Sequence, residues 1–245
     1  MSALHSFAEG GFAFLEGVFA YSQGAVALDG YAIERACFAR PLPVAEGFRR
    51  IAAHLQGLGR PKTALCACEL RSPRPFSFAG FGEFNRGYVA VMEQWGLFRD
   101  RQNAVARSNV APEINPPAEP SFYAFSYTVP VAHARRNFVV AGSGEWPEGG
   151  RFPEDIIARG DVTEAGTRNK AAWVLDMMQA RLTGLGGFGF GEASAVQVYT
   201  VRRFPIELVA QRAGSAVTWH YCRPPIEGLE FEMDVRCVSL ERRLG

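Results

Sequence analysis

Strand-type and helix-type segments follow one another in the same order in both halves of the chain, and this repeat limits the fold more than any other feature. Each half contains a strand, a long helix, a strand, a shorter helix and two final strands. Helices are predicted at residues 43–59, 83–97, 160–186 and 205–212. The order predicts two similar α+β domains, residues 1–130 and 131–245, joined near residues 129–136, each a mixed β-sheet with helices packed on one face.

Local signals support the individual segments. Apolar residues recur at helical spacing from Val44 to Leu55, and Gly59 ends the pattern. Asp29-Gly30 lies between two apolar segments within residues 24–39, which predicts a type I′ β-hairpin. Strands are predicted at residues 63–70, 104–112, 121–129, 136–144, 193–201, 216–222 and 228–238.

The charge balance and the apolar pattern restrict the possible partners. The chain has 26 basic and 25 acidic residues, for a net charge of +1, and no basic run is interleaved with aromatic residues. Nucleic acid is therefore not an expected partner. No apolar stretch approaches the roughly 18–20 residues that cross a bilayer, and the N-terminus lacks the basic region of a signal peptide. We expect a soluble cytoplasmic protein without a membrane partner.

No metal or other cofactor is predicted. Cys66 and Cys68 are two residues apart, but a zinc site needs about four ligands, and the four histidines show no paired spacing. The odd number of cysteines, five, indicates reduced thiols rather than a disulfide framework. The tract GLGGFGFG (184–191) matches GxGxxG, but a helix precedes it and a strand follows it, the reverse of a dinucleotide-binding site.

One predicted strand carries an arginine among small apolar residues. In AVARSNVAP (104–112), alternation puts Val105, Arg107 and Asn109 on one face. A half-buried guanidinium needs a carboxylate partner, which is either a side chain of the protein or part of a ligand.

Several short stretches, in their order along the chain, resemble the Rid family, also called YjgF. The similar stretches are Tyr21-Ser22-Gln23, Phe84-Asn85 with Tyr88, Ala106-Arg107-Ser108, and VVAGSGE at residues 139–145. The resemblance implies tandem Rid-like (chorismate-mutase-like) domains and a homo-oligomer, with a trimer favoured and active clefts between subunits.

The resemblance also implies a cofactor-free hydrolase that acts on a small unsaturated carboxylate. In Rid deaminases the arginine that matches Arg107 holds the substrate carboxylate, water attacks an imine carbon, and ammonia and a 2-keto acid are released. Tyr21 and Asn85 become candidates for substrate binding on the same motifs. Glu145, where the family has glutamine, is a candidate for activating water.

Each half lacks part of the family's site. The final strand of the first half, SFYAFSYTV, has no acidic residue, whereas the second half has Ala216 or Val217 at the arginine position but keeps Glu230 and Glu232. A site between halves or between chains would combine Arg107 with an acid of the second domain. His220 is a further candidate acid or base, with a buried structural histidine as the alternative.

The end of the second half also resembles the chorismatases, which are built from two Rid-like domains. Cys222-Arg223 followed by Leu229, Glu230 and Glu232 is similar to their Cys-Arg pair and final strand. This resemblance implies that Arg223 and Cys222 bind substrate while Glu232 acts as acid and base. Three functions thus stay open: deamination of an enamine or imine, chorismatase-like release of pyruvate from an enol ether, and a non-catalytic ligand-binding or interaction module.

Overall fold

The computed structural model describes residues 2–133, 136–214 and 216–245, so residues 134 and 135 of the predicted connection lie outside the described part. Within these ranges the strands are β1 Leu4–Phe7, β2 Phe12–Leu15, β3 Gly24–Ala27, β4 Tyr31–Pro43, β5 Leu65–Arg71, β6 Phe98–Arg99, β7 Gln102–Asn103, β8 Ala106–Pro112, β9 Ser121–Pro130, β10 Phe138–Gly144, β11 Ala195–Tyr199, β12 Val217–His220, β13 Cys222–Arg223, β14 Glu232–Cys237 and β15 Leu240–Leu244. The α-helices are α1 Val44–Gly57, α2 Phe78–Gln94, α3 Glu164–Gly184 and α4 Ile206–Ala213. The four predicted helices are confirmed.

The strands form two large mixed sheets, and β6 pairs with β7 separately. Sheet A has the order β13-β8-β5-β9-β4-β15, with parallel pairs β5–β8 and β4–β15. Sheet B has the order β1-β2-β3-β10-β14-β11-β12, with β11–β12 parallel. The α+β class is therefore confirmed.

Helices cover one face of each sheet. On sheet A, Phe48, Ile51 and Leu55 of α1 and Met92 of α2 join one core cluster. On sheet B, α3 and α4 build a second cluster with the strands from Phe138 onward. Full burial of side chains such as Ile51 contributes roughly 1.5–3 kcal/mol each, so these two cores hold the helices in place.

The predicted hairpin at Asp29-Gly30 is wrong. The segment does turn, because the Tyr31 N–H donates to the Leu28 carbonyl and Gly30 has φ +81°. However, β3 pairs with β2 and β10, whereas β4 pairs with β9 and β15. A turn signal specifies a local reversal of direction, and the long-range pairing of β3 with β10 decides that this reversal joins two different sheets.

Chain segments from both halves occur in both sheets. Strands β1–β3 lie in sheet B with the later strands, while β13 and β15 return to sheet A. The predicted strand at 216–222 is consequently split between the two sheets. The division into residues 1–130 and 131–245 and the tandem Rid-like character of the halves stay predictions.

The uncovered faces of the sheets meet across a layer of small and polar residues. Ala67, Ala106 and Ala141 allow β8 of sheet A and β10 of sheet B to approach closely. Beside them, Arg35 donates to both oxygens of buried Glu69, at 2.6 and 2.8 Å. Separately, none of the helices in the described ranges is long and apolar enough to span a membrane.

Candidate functional site

A cavity of about 270 Å³ lies where β8 meets β10 and is lined by residues from both halves of the chain. The apolar part of the lining includes Phe78, Phe81, Trp146, Ile226 and Leu229. The polar part includes Tyr21, Asn85, Arg107, Asn109, Glu148, Arg181 and Glu232. An apolar pocket with a few convergent polar groups is typical of a small-molecule site.

Arg107 projects from β8 toward helix α2. The helix begins after Ser77, whose hydroxyl accepts the Gly80 N–H, and this start sets the position of Asn85 two turns later. The Arg107 Nη2 donates to the Asn85 Oδ1 at 2.6 Å, while its buried Nη1 has no hydrogen-bond partner among the described residues. The Tyr88 ring lies 4.7 Å from the guanidinium carbon.

The Arg107 side chain is only 3% exposed, and burial lowers its pKa. No carboxylate in the described residues forms an ion pair with it. The alternative of a protein partner is therefore not realised in this structure, and a buried cation without a counter-ion favours an anionic ligand.

Glu232 reaches the same cavity from sheet B. The register of β10 against β14 shifts between Val140 and Ser143, and this β-bulge carries Gly142 past the Glu232 carboxyl. A Cβ atom on Gly142 would overlap Glu232 Oε1 and lie 3.2 Å from the Glu232 Cδ. Glycine at this position therefore makes room for the carboxyl group.

The environment of Glu232 favours its protonated form. The residue is 3% exposed, and burial, followed by the negative charge of Asp234, raises its pKa well above 4.5. Tyr21 lines the cavity nearby, and burial together with the charge of Glu148 raises the pKa of its hydroxyl to about 12. Both groups can donate a proton or a hydrogen bond at neutral pH.

Arg181 and Glu148 also line the cavity, and the sequence analysis missed both. Arg181 of α3 donates through Nη1 to the Ala141 carbonyl at 2.9 Å and through Nη2 to Glu148 Oε1 at 2.7 Å. Gln23 donates to the other Glu148 oxygen at 2.8 Å. A signal existed, because Arg181 lies three residues after Met178 and so falls on the apolar stripe of the predicted helix.

Glu145 does not line the cavity. Its carboxylate contacts Lys170 Nζ at 3.3 Å, and both side chains are fully buried. Its two oxygens accept the backbone N–H groups of Glu230 at 2.7 Å and Phe231 at 3.0 Å. Burial raises its pKa. Glu145 thus supports the start of the strand that carries Glu232 rather than facing the cavity itself.

The remaining predicted site residues lie elsewhere. His220 stacks on Tyr199 with ring centroids 5.0 Å apart and bonds to Gln197, and burial followed by the Arg71 charge lowers its pKa to about 4. These contacts agree with the alternative that the sequence analysis left open, namely that His220 is a structural histidine.

Cys222 and Arg223 also lie outside the cavity lining. Cys222 is buried in a cluster with Val110 and Tyr199, and burial raises the pKa of its thiol. Arg223 forms a partly exposed ion pair with Glu113. Of the eight predicted residues, the cavity therefore brings together Tyr21, Asn85, Arg107 and Glu232.

The donor set fits proton transfer and carboxylate binding. In the part of the chain that the structure describes, no group of three His, Cys, Asp or Glu side chains is arranged to hold a metal ion. The polar lining instead combines Arg107, the Arg181–Glu148 ion pair, neutral hydrogen-bond donors and Glu232, whose carboxyl group has a raised pKa.

Two comparisons with known proteins name deaminases, and a third shows a similar fold. Residues 4–242 match the family model described as "2-aminomuconate deaminase CnbZ". The chain is 44% identical over 239 residues to a 2-amino-5-chloromuconate deaminase from Comamonas testosteroni, with 94% of each sequence covered. A crystal structure of a chorismatase is similar in fold, with a TM-score of 0.50 and 14% identity over 93% of this chain and 77% of that one.

Proposed function

Because this chain belongs to the 2-aminomuconate deaminase family, we propose that it hydrolyses a 2-amino-substituted unsaturated dicarboxylate of the 2-aminomuconate type to the 2-oxo acid and ammonia. The observation that carries this proposal is the unpaired Nη1 of buried Arg107 in the same cavity as Glu232. Arg107 is suited to bind a carboxylate, and Glu232 can supply a proton.

Binding comes first in the proposed mechanism. Arg107 takes the carboxylate next to the amino-bearing carbon, with its guanidinium plane held by the hydrogen bond to Asn85. Burial among aromatic rings removes water that would compete for the guanidinium. A substrate held in this way presents its reacting carbon in one orientation, which contributes to catalysis through positioning.

Proton transfer and hydrolysis follow at Glu232. The protonated carboxyl group donates to a carbon of the enamine system, and the nitrogen lone pair forms the C=N bond of an iminium ion. The resulting Glu232 carboxylate then accepts a proton from water as the water oxygen bonds to C2. Glu232 then returns this proton to the amino nitrogen, and the C–N bond breaks as the hydroxyl oxygen forms the C=O bond. The hydroxyl proton passes back to the Glu232 carboxylate, so one water is consumed, one ammonia leaves, a 2-oxo group remains and Glu232 ends protonated.

A pair of arginine variants tests the proposal. Arg107→Met should lower kcat/KM for 2-aminomuconate by about 100-fold or more, because a charged hydrogen-bonding anchor is lost. Arg223→Met is the matched control, since that arginine pairs with Glu113 outside the cavity. Ammonia release is measured together with loss of substrate absorbance. Full activity of a folded Arg107→Met protein would contradict the proposal.

The same assay separates the two other functions. A chorismatase-like enzyme would release pyruvate from chorismate without ammonia, but the Cys222-Arg223 pair that suggested this reaction lies outside the cavity lining. A non-catalytic module would show ligand-dependent melting without product. Fold likeness to a chorismatase does not decide the reaction, because one fold supports many chemistries.

The Rid-like nature of the two halves and the trimer remain proposals. Tyr21, Asn85 and Arg107 were identified by Rid-type motifs, and their meeting at one cavity supports the first proposal. Light scattering tests the assembly: a molar mass of three chains is expected, and a monomer would contradict it.

A further inference from the structure

Three residues that line the cavity each carry a buried N–H donor for which the described part of the chain provides no hydrogen-bond partner. The donors are Arg107 Nη1, Asn109 Nδ2 and Arg181 Nε. A buried donor without an acceptor is unfavourable, and each of these three N–H groups needs a hydrogen-bond acceptor. The cavity is therefore suited to a ligand with several acceptor atoms. A single carboxylate bound to Arg107 does not supply enough of them.

Asn109 has one end of its side-chain amide paired and the other end unpaired. It is 3% exposed, and its Oδ1 accepts the Ser72 hydroxyl at 3.0 Å, which leaves Nδ2 as its unpaired end. It follows Arg107 by two residues on β8, so both side chains leave the same face of the strand, roughly 6.6 Å apart. This separation is too wide for the two oxygens of one carboxylate and suits acceptors at separate points of a short ligand.

The charges in the cavity distinguish these donors. The Arg181 cation is already matched by Glu148 at 2.7 Å, whereas Arg107 has no ion-pair partner among the described residues. The cation of Arg107 is thus the primary anion anchor. Asn109 provides a second, neutral contact farther along the same face of β8.

We propose that Asn109 binds the second carboxylate of the substrate and makes the site selective for dicarboxylates over monocarboxylates. This inference rests on the proposed function, in which Arg107 holds the carboxylate beside the amino group. It adds a specificity-determining residue that the Rid-type motifs did not identify. The Asn109 Nδ2 donates to an oxygen of the distal carboxylate, which satisfies the unpaired N–H group.

Two unreactive probes isolate this contact. Muconate has the six-carbon diene with two carboxylates, and sorbate has the same length of chain with one; neither carries an amino group that could be removed. Calorimetric titration of the full chain should give a muconate affinity about tenfold or more above that of sorbate. Asn109→Leu should reduce this ratio by about tenfold, which is the effect of one hydrogen bond to a charged group.

Controls separate recognition from folding. Asn169→Leu makes the same substitution at an exposed position of α3 and should keep the wild-type ratio. If Asn109→Leu does not fold, Asn109→Ser provides a smaller change that also removes the amide donor, and it should lower the ratio as well. Equal affinity for muconate and sorbate in the wild type, or an unchanged ratio in the folded variant, would overturn the inference.

The binding test and the activity test fail independently. Ammonia release from 2-aminomuconate without any preference for muconate would refute the role of Asn109 and leave deamination intact. A preference that depends on Asn109, without ammonia release, would support the second carboxylate contact and refute the proposed reaction.

Discussion

Glu232→Gln should increase stability at neutral pH while it removes activity. The folded protein keeps the Glu232 proton above pH 4.5, because burial and the charge of Asp234 raise its pKa, whereas the unfolded chain releases that proton. The folded wild type therefore loses stability as pH rises from the unfolded pKa to the folded pKa. One proton corresponds to about 1.4 kcal/mol per pH unit. Glutamine has no proton to lose, so this contribution is absent from the variant.

Urea unfolding between pH 5 and pH 8 measures the effect. The free energy of unfolding of Glu232→Gln minus that of the wild type should increase with pH by about 1.4 kcal/mol per unit within the titration window. Glu9→Gln is the control: because Arg99 lowers the pKa of exposed Glu9 below 4.5, Glu9 is ionised in both the folded and the unfolded chain over this pH range, and its difference from the wild type should stay nearly constant with pH. Ammonia release should fall about 10²–10⁴-fold in Glu232→Gln. Parallel stability curves for wild type and Glu232→Gln would refute the raised pKa, and an active variant would refute the catalytic role.

Two further predictions concern the groups that support Glu232. Gly142→Ala should lower turnover and cost about 1–3 kcal/mol of stability, because the new Cβ overlaps the Glu232 carboxyl; Gly87→Ala, on an open face of α2, is the control, and equal turnover of both variants would contradict the steric argument. Lys170→Met should cost about 3–5 kcal/mol in a denaturation experiment, because Glu145 is left buried without its cation. Adding Glu145→Gln should restore part of that loss, and strict additivity of the two changes would contradict the pairing.

The local elements of this fold could be predicted because their signals lie within short segments. The spacing of Val44 to Leu55 indicated α1, and alternation along β8 correctly put Arg107 and Asn109 on one face. The hairpin prediction at Asp29-Gly30 was wrong for a related reason, because it too relied on a short local signal. A turn pattern covers four residues, whereas the partner of β3 lies more than a hundred residues away, on β10.

The candidate site was predicted in its parts and not in its arrangement. Motifs singled out Arg107 and Glu232 separately, but they also singled out Arg223, which pairs with Glu113 instead. Arg181 and Glu148 were missed because their roles depend on contacts with carbonyl groups of β10 and with each other.

By itself, the sequence determined the four helices, the longer strands such as β5, β8 and β9, and the face of β8 that carries Arg107 and Asn109, since each of these depends on backbone geometry over a few residues. The short strands β1, β2 and β15 were not predicted. The tertiary structure alone decided that β8 and β14, from different sheets, bring Arg107 and Glu232 to one cavity. It also decided their ionisation. The physical reason is that burial and neighbouring charges arise only when distant segments pack together. Burial and the charge of Asp234 raise the pKa of Glu232, and burial lowers the pKa of Arg107.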